Sequence, residues 1–530
     1  MTGTVAILPL LVSLVACAGT LLLRRWPRAQ RLGSVAGAVA YALSVGVLAR
    51  AVVFGPDAGG IAYQIGGWRA PFGITVVADA LAAFMLAIAA LLAVFAAAFS
   101  VLYVDVENQQ VFYHPLFHFL VLGTTGAFLT GDLFNLFVWF EVLLMTSYVF
   151  VAFYGDAKHT AAAVRYVVLN IVGGVVMLLA IGGLYATLGT LNMAEMALQL
   201  QAAETDMAPV VGFSGLLLAT FAMKAGLVPF QFWVPAVYRA APLPIVALFA
   251  AVTKKVGIYA LLRVYFTVFG GVPLGTVGGT FTVDTLLDFL APVLLVMGGA
   301  SILVGGVGAV TRPKLEGLLA YSSIGQVGFI ATALGIAAGT PSESLRRLGV
   351  LAALVFTLHH AVTKGMLFLA AGVVQDGFGT TALSELGGIG EQSSTFAGVF
   401  LVGSLSLVGI PPLAGFFGKL FVFEAAVREF AATVEAPAAA LSVALVLFAG
   451  AVLTILYVTR VWVGSFWGER TDTVLAGDVD PLQVAVLAAM AAVVVAVGVG
   501  FEPVSGFADA AADAALDTDR YVDLVIGGEP

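Results

Sequence analysis

Seven lysines occur in the 530 residues, and five of them, Lys224, Lys254, Lys255, Lys364 and Lys419, stand inside long apolar runs. Soluble proteins keep lysine on the surface, and one at mid-membrane costs about 2.5–3.5 kcal/mol on insertion scales. Glu141 sits in similar surroundings, within FNLFVWFEVLLMTSYVF (134–150), as do His359, His360 and Lys364 in FTLHHAVTKGMLF (356–368). Snorkelling rescues a cation only near a helix end, and Lys254 and Lys255 are too deep for that. Burial disfavours the charged form, so buried Lys, Glu and His can exchange protons near neutral pH. The chemistry these residues suggest is proton relay.

Spacing refines the set. His360 and Lys364 are four apart and share a helix face; two cations so close repel, which favours a single shared positive charge. Neighbouring residues diverge by about 100° around a helix, so one of His359 and His360, and one of Lys254 and Lys255, faces any given channel. Glu141 becomes tolerable if a cation such as Lys224 lies beside it, although a purely structural ion pair would use the same residues. Gln326, Ser322 and Ser323, in YSSIGQVGFI, could support water between relay groups or serve helix packing. Arg263 is expected to snorkel from a span end, His114 and His118 to be interfacial, and Asp132 and Glu424 to lie near interfaces. No Asp, Glu or Cys neighbours the histidine pair, so neither a metal site nor a cofactor is expected there.

Positioning such groups requires a membrane. The chain is 61% hydrophobic and only 10% charged, with mean hydropathy +1.07; soluble domains carry about 25% charged residues. Apolar segments of spanning length recur near 4–23, 33–54, 73–103, 114–130, 133–154, 161–187, 211–238, 243–269, 286–309, 317–338, 350–374, 395–427, 437–466 and 481–501. These predict an all-α polytopic membrane protein of about 14 transmembrane helices. Barrel strands would alternate over ~10 residues, and these runs are apolar on every side. The first run has no basic segment before it and Arg24 and Arg25 after it, and reads as a spanning helix rather than a cleaved signal.

Two spans are interrupted. FAMKAGLVPFQFWVPAVYRAAPLP (221–244) contains Pro229 and Pro235; SLVGIPPLAGFFGKLFVFEAA (406–426) contains Gly409, Pro411, Pro412 and Gly415. Proline removes a backbone donor and clashes with the preceding turn. Paired interruptions in two halves of a chain mark transporters built from inverted repeats, and here each break carries a lysine. The Lys and Arg distribution places RRWPRAQR, Lys158, Arg165, Arg239, Arg312, Lys314 and Arg470 in cytoplasmic loops, with both termini outside.

Other classes are excluded or weak. The net charge of −8 lies in acidic loops such as 202–209 and in the tail, and no basic block invites nucleic acid. Cys17 is the only cysteine, which excludes internal disulfides and cysteine-based clusters. The glycine-rich GGVPLGTVGG (270–279) lacks the Lys-Ser/Thr of a phosphate-binding loop.

The motifs GDLFNLFVWFEVLLMTSYVF, FAMKAGLVPFQFWVPAVYRAAP, TKKVGIYALLRV, YSSIGQVGFI, LHHAVTKGMLFLAAG and SLVGIPPLAGFFGKL together resemble the proton-translocating subunits of Mrp-type cation/proton antiporters, over residues 70 to 470. Their superfamily includes the antiporter-like subunits of respiratory complex I and membrane-bound hydrogenases. The resemblance implies two inverted five-helix repeats, each containing a broken helix. The corresponding divisions are 1–110 (helices 1–3), 111–270 (first repeat), 284–468 (second repeat) and 480–530 (last span and acidic tail). It also implies roles: Glu141 matches the fifth-helix glutamate, Lys224 its partner, Lys255 the eighth-helix lysine and His360 the central histidine. Lys364 matches a lysine of some members and Lys419 the terminal twelfth-helix charge, with Lys254 unassigned. Complex I subunits commonly have histidine where this chain has Gln326, which favours the D-type subunit of the Mrp antiporters.

The expected function is therefore proton conduction in a multisubunit Na+/H+ antiporter of a prokaryotic plasma membrane, partnered by other membrane subunits. Sodium would move elsewhere in the complex. The alternatives are a redox-driven pump module of a complex I-like or hydrogenase assembly, a stand-alone solute carrier, and a scaffold without transport.

Overall fold

The computed structural model describes residues 3–55, 58–105, 112–202, 205–274, 276–277, 281–282, 284–432 and 437–527. Parts of the 202–209 and 270–279 stretches lie outside them. The elements are overwhelmingly helical, because in lipid a helix satisfies its own backbone. In chain order they are α1 (Gly3–Leu22), α2 (Pro27–Ala49), α3 (Ala80–Tyr103), α4 (Tyr113–Leu129), α5 (Leu133–Val151), α6 (Ala157–Leu188), α7 (Met193–Gln201), α8 (Met207–Ala225) and α9 (Trp233–Tyr238). There follow α10 (Leu243–Val268), α11 (Leu286–Thr311), α12 (Leu315–Gly339), α13 (Glu343–Phe378), α14 (Ser394–Val408), α15 (Ala414–Ala432), α16 (Pro437–Phe466), α17 (Pro481–Val499), α18 (Phe501–Leu516) and α19 (Thr518–Ile526).

Twelve helices among the described residues are long and apolar enough to cross a membrane. The other two expected spans are present in altered form. Helix α4 has 17 residues, ~25 Å at 1.5 Å each. The 395–427 stretch divides at Gly409 into α14 and α15, and α15 carries Lys419, Glu424, Arg428 and Glu429. The 211–238 stretch likewise divides, at Gly226, into α8 and α9. Gly226 and Gly409 adopt φ of 71° and 92°, a left-handed conformation that costs a residue with Cβ roughly 1–2 kcal/mol.

Enclosure sorts the helices. In α10, α12 and α13, 94% of the best apolar 18-residue stretch is buried, against 28% in α1 and 22% in α16. The enclosed three carry Lys254, Lys255, Ser322, Ser323, Gln326, His359, His360 and Lys364. Wide π turns at Phe249–Thr253 and Leu261–Val268 flank the α-helical turns that hold Lys254 and Lys255.

Each end of the bundle is stitched. At one end β1 (Ile61–Gln64) pairs antiparallel with β2 (Thr75–Ala78), and the Gly131 amide donates to the Thr75 carbonyl at 2.9 Å. Gln64 donates to the Val525 carbonyl at 3.4 Å, and Gly3 packs beside Tyr63, so the first and last described helices begin and finish at this end. At the other end the Leu315 amide donates to Thr381 O and Leu383 to Pro313 O, both at 2.9 Å.

Two expectations are corrected here. Arg263 does not snorkel: it is fully buried, its Nη2 lies 2.6 Å from Asp79 Oδ2, and Tyr521 and Tyr259 flank its guanidinium at 4.7 and 5.5 Å. The strand pair and the C-terminal helices cover that end of α10 and exclude headgroups. His114 and His118 are also buried, because α4 packs against α1 and α2; His118 Nε2 meets Ser34 Oγ at 3.2 Å.

Candidate functional site

Lys224 lies in the last turn of α8, just before the break at Gly226. Carbonyls at a helix C-terminus favour a cation. The backbone freed by the interruption finds partners: the Val228 amide donates to Ser301 Oγ at 2.9 Å, and Trp233 Nε1 donates to the Met223 carbonyl at 2.9 Å. Lys224 is buried, stands 5.4 Å above the Phe140 ring and donates to Asn170 Oδ1 at 3.4 Å.

Glu141 and Lys224 make no direct ion pair among the described residues. The Glu141 carboxylate lies against Gly174 of α6, where an added Cβ would come within 3.1 Å of Oε1. Gly174 is one helical turn beyond Asn170, so the two charged groups address one face of α6 a turn apart. Glu141 thus acts on Lys224 through space, while a neutral amide makes the direct hydrogen bond. Asn170 carries no distinguishing signal in the sequence, since an amide in an apolar helix is as readily explained by packing.

At the centre, Lys255 Nζ meets His360 Nδ1 at 2.5 Å. The other ring nitrogen, Nε2, faces Ser323 Oγ at 3.4 Å, while Lys254 Nζ donates to the Ser323 carbonyl at 3.4 Å. Lys254 and Lys255 thus diverge as adjacent helical residues must, one toward α12 and the other toward α13, yet both reach Ser323, the second through His360. Lys364 shares the His360 face but takes different partners, donating to Ser322 Oγ and to the Leu319 carbonyl.

His359 points the other way. Its Nδ1 lies 3.2 Å from Thr363 Oγ1 and 3.5 Å from Ser406 Oγ, and these hydroxyls meet at 2.9 Å. The two histidines therefore serve two directions, α10 and the second break. Lys419 Nζ donates to the Val408 carbonyl at the C-terminus of α14, at 2.7 Å, and stands 5.9 Å over Phe329. That repeats the Lys224 arrangement: an ammonium at the end of a half-helix, under an aromatic face. Gly415 permits the approach, because a Cβ there would collide with Ser406 O and reach 2.6 Å from His359 Cε1.

Gln326 binds at the α12–α16 seam. Its Nε2 donates to Thr454 Oγ1 and Tyr457 OH, each at 3.2 Å, tying α12 to α16. Thr363 and Ser406, by contrast, stand beside His359 and were missed; hydroxyls in apolar helices give no distinguishing signal. Together these are clusters of ammonium, imidazole, hydroxyl and amide functions inside an apolar bundle, the kinds of group that exchange protons.

The family model described as "NADH:quinone oxidoreductase/Mrp antiporter, TM" matches residues 130–445. The chain is 32% identical over 466 residues to the D-type subunit of the Na(+)/H(+) antiporter of Alkalihalophilus pseudofirmus, covering 87% of this chain and 88% of that one. It is 30% identical to the D-type subunit of the Bacillus subtilis Na(+)/H(+) antiporter, over 98% and 99% of the respective lengths. Among solved structures, a chain of the Mrp complex from Dietzia sp. superposes with TM-score 0.80 at 26% identity, covering 99% of each chain. A chain of the membrane-bound sulfane sulfur reductase, an archaeal respiratory membrane complex, gives 0.85 at 27%, covering 98% and 99%. One from Thermus thermophilus respiratory complex I gives 0.76 at 21%, covering 98% and 100%, and shares the fold. With more than half its length matched and relatives at 30% identity or above along most of it, this chain belongs to the NADH:quinone oxidoreductase/Mrp antiporter transmembrane family.

Proposed function

We propose that this chain is the proton-conducting membrane subunit of a multisubunit Na+/H+ antiporter, set in a prokaryotic plasma membrane beside other membrane subunits. The observation that carries the reading is the enclosed contact between Lys255 and His360, continued by Ser323 on one side and flanked by lysines at both helix breaks. In this reading Lys224 gains and loses a proton under the influence of Glu141, with Asn170 holding the ammonium. Lys255, His360 and Lys364, with Lys254 and Ser323, pass charge across the middle; His359 hands it to Lys419, which exchanges with one aqueous side. Sodium moves through other subunits. Residues 111–270 and 284–468 act as two repeats, each contributing one broken helix, and both termini face outward.

The test is exchange in everted vesicles from an antiporter-deficient host. Glu141→Ala or Lys224→Ala should abolish Na+-dependent proton movement while the complex still co-purifies. Wild-type exchange in either variant would remove this pair from the route.

A second reading, a redox-driven pump module, is favoured by the likeness to the sulfane sulfur reductase chain. Purification of the native complex separates the two: iron–sulfur or other redox-active partner subunits would favour the pump.

A further inference from the structure

At the end of the bundle opposite the described termini, a cavity of about 440 Å3 opens among the ends of α3, α6, α9, α10, α12 and α13. Asp105, Arg239 and Asp376 are exposed at it, His159 and Glu316 are half-buried, and Tyr238, 1% exposed, lies on its wall. Among these residues the Tyr238 hydroxyl and Glu316 Oε2 are buried with no hydrogen-bond partner among the described residues, whereas His159 Nδ1 lies 2.6 Å from Asp156 Oδ1. Buried polar groups are normally satisfied by protein or water, and a polar space of this size admits water. Tyr238 also reaches inward. Its ring packs edge-on against Phe368 of α13 at 5.3 Å, and α9 packs on α12, which brings its unpartnered hydroxyl near Ser323 without a hydrogen bond between them. Ser323 in turn faces His360 Nε2.

We propose that this cavity is the aqueous vestibule of the relay and that Tyr238 carries protons between it and the Ser323–His360 pair. The proposal rests on the relay reading above. In one transfer the Tyr238 hydroxyl closes onto Ser323, its hydrogen passes to Ser323 Oγ, and the Ser323 hydrogen passes to His360 Nε2. The Tyr238 oxygen then takes a proton from protonated cavity water, so one proton enters and one arrives. Asp105, Glu316 and Asp376 give the mouth an acidic character that concentrates protons at it.

The experiment measures initial Na+/H+ exchange rates of the intact complex in everted vesicles, with co-purification as the assembly control. Tyr238→Phe keeps the ring and removes the hydroxyl; exchange should fall about tenfold or more, within the range of a lost proton-transfer group. Tyr238→His restores a proton carrier and should recover much of the rate. Wild-type exchange in Tyr238→Phe while Glu141→Ala abolishes it would overturn the vestibule and leave the relay standing. Equal loss in Tyr238→Phe and Tyr238→His would make the Tyr238 hydroxyl a fixed hydrogen-bonding group rather than a proton carrier and would also overturn the proposal. Wild-type exchange in Glu141→Ala as well would remove relay and vestibule together.

Discussion

Asn170 presents its amide oxygen to Lys224, and a hydrogen bond to a charged group contributes about 1.5–3 kcal/mol. Asn170→Leu should therefore slow Na+-dependent proton movement about tenfold to a hundredfold without loss of assembly; an unchanged rate would show that Lys224 needs no partner there. The ionisable members of the clusters were legible in the sequence because a charge in hydrocarbon is costly enough to demand a reason. Asn170, Thr363 and Ser406 were not, because amides and hydroxyls are cheap to bury once they find a polar partner, a helix carbonyl for Asn170 and each other and His359 for the two hydroxyls. Arg263 was misread for another reason: whether a span end meets headgroups depends on what folds over it, and here the covering residues, Tyr521 and Asp79, are distant in sequence.

At the scale of elements, proline and glycine announced both breaks, and each half-helix ends where glycine adopts a positive φ. What the pattern left open was where the freed carbonyls and amides would go; Lys419, Ser301 and Trp233 supply those partners. Gly409→Ala places a Cβ in a left-handed conformation and within 2.9 Å of Lys419 Cδ, so the purified complex should lose roughly 1–2 kcal/mol of stability and melt at a lower temperature. The Arg263–Asp79 pair anchors the far end of α10, whose π turns surround Lys254 and Lys255. Arg263→Met leaves Asp79 buried without its cation, a change of about 3–5 kcal/mol. Adding Asp79→Asn should recover part of that loss in a thermal melt, and a double variant no better than the single would mean the pair is not coupled.

Across the whole molecule, hydropathy located the spans, and composition dictated helices, since lipid leaves no other open form. Which helices are central was not legible in hydropathy, because α3 and α16 share a value of 2.6 while 72% and 22% of those stretches are buried, and the enclosed α10, α12 and α13 are less apolar than either. Their lower hydropathy reflects the polar groups they enclose. The described helices at either extreme of the chain meet one end of the bundle, and the positive-inside reading places that end outside. With Cys17→Ser as background, Ala58→Cys should react with an impermeant maleimide on intact cells and Asp156→Cys only after permeabilisation. The reverse pattern would invert the topology.

The proposed route passes through the contact between Lys255 and His360, both fully buried in the bundle. The most direct measurement is Na+-driven proton movement by the complex carrying Lys255→Ala, read with a pH-sensitive dye in everted vesicles. The expected result is full assembly with exchange at background level; assembled complex that still exchanges at the wild-type rate would contradict a relay through this pair.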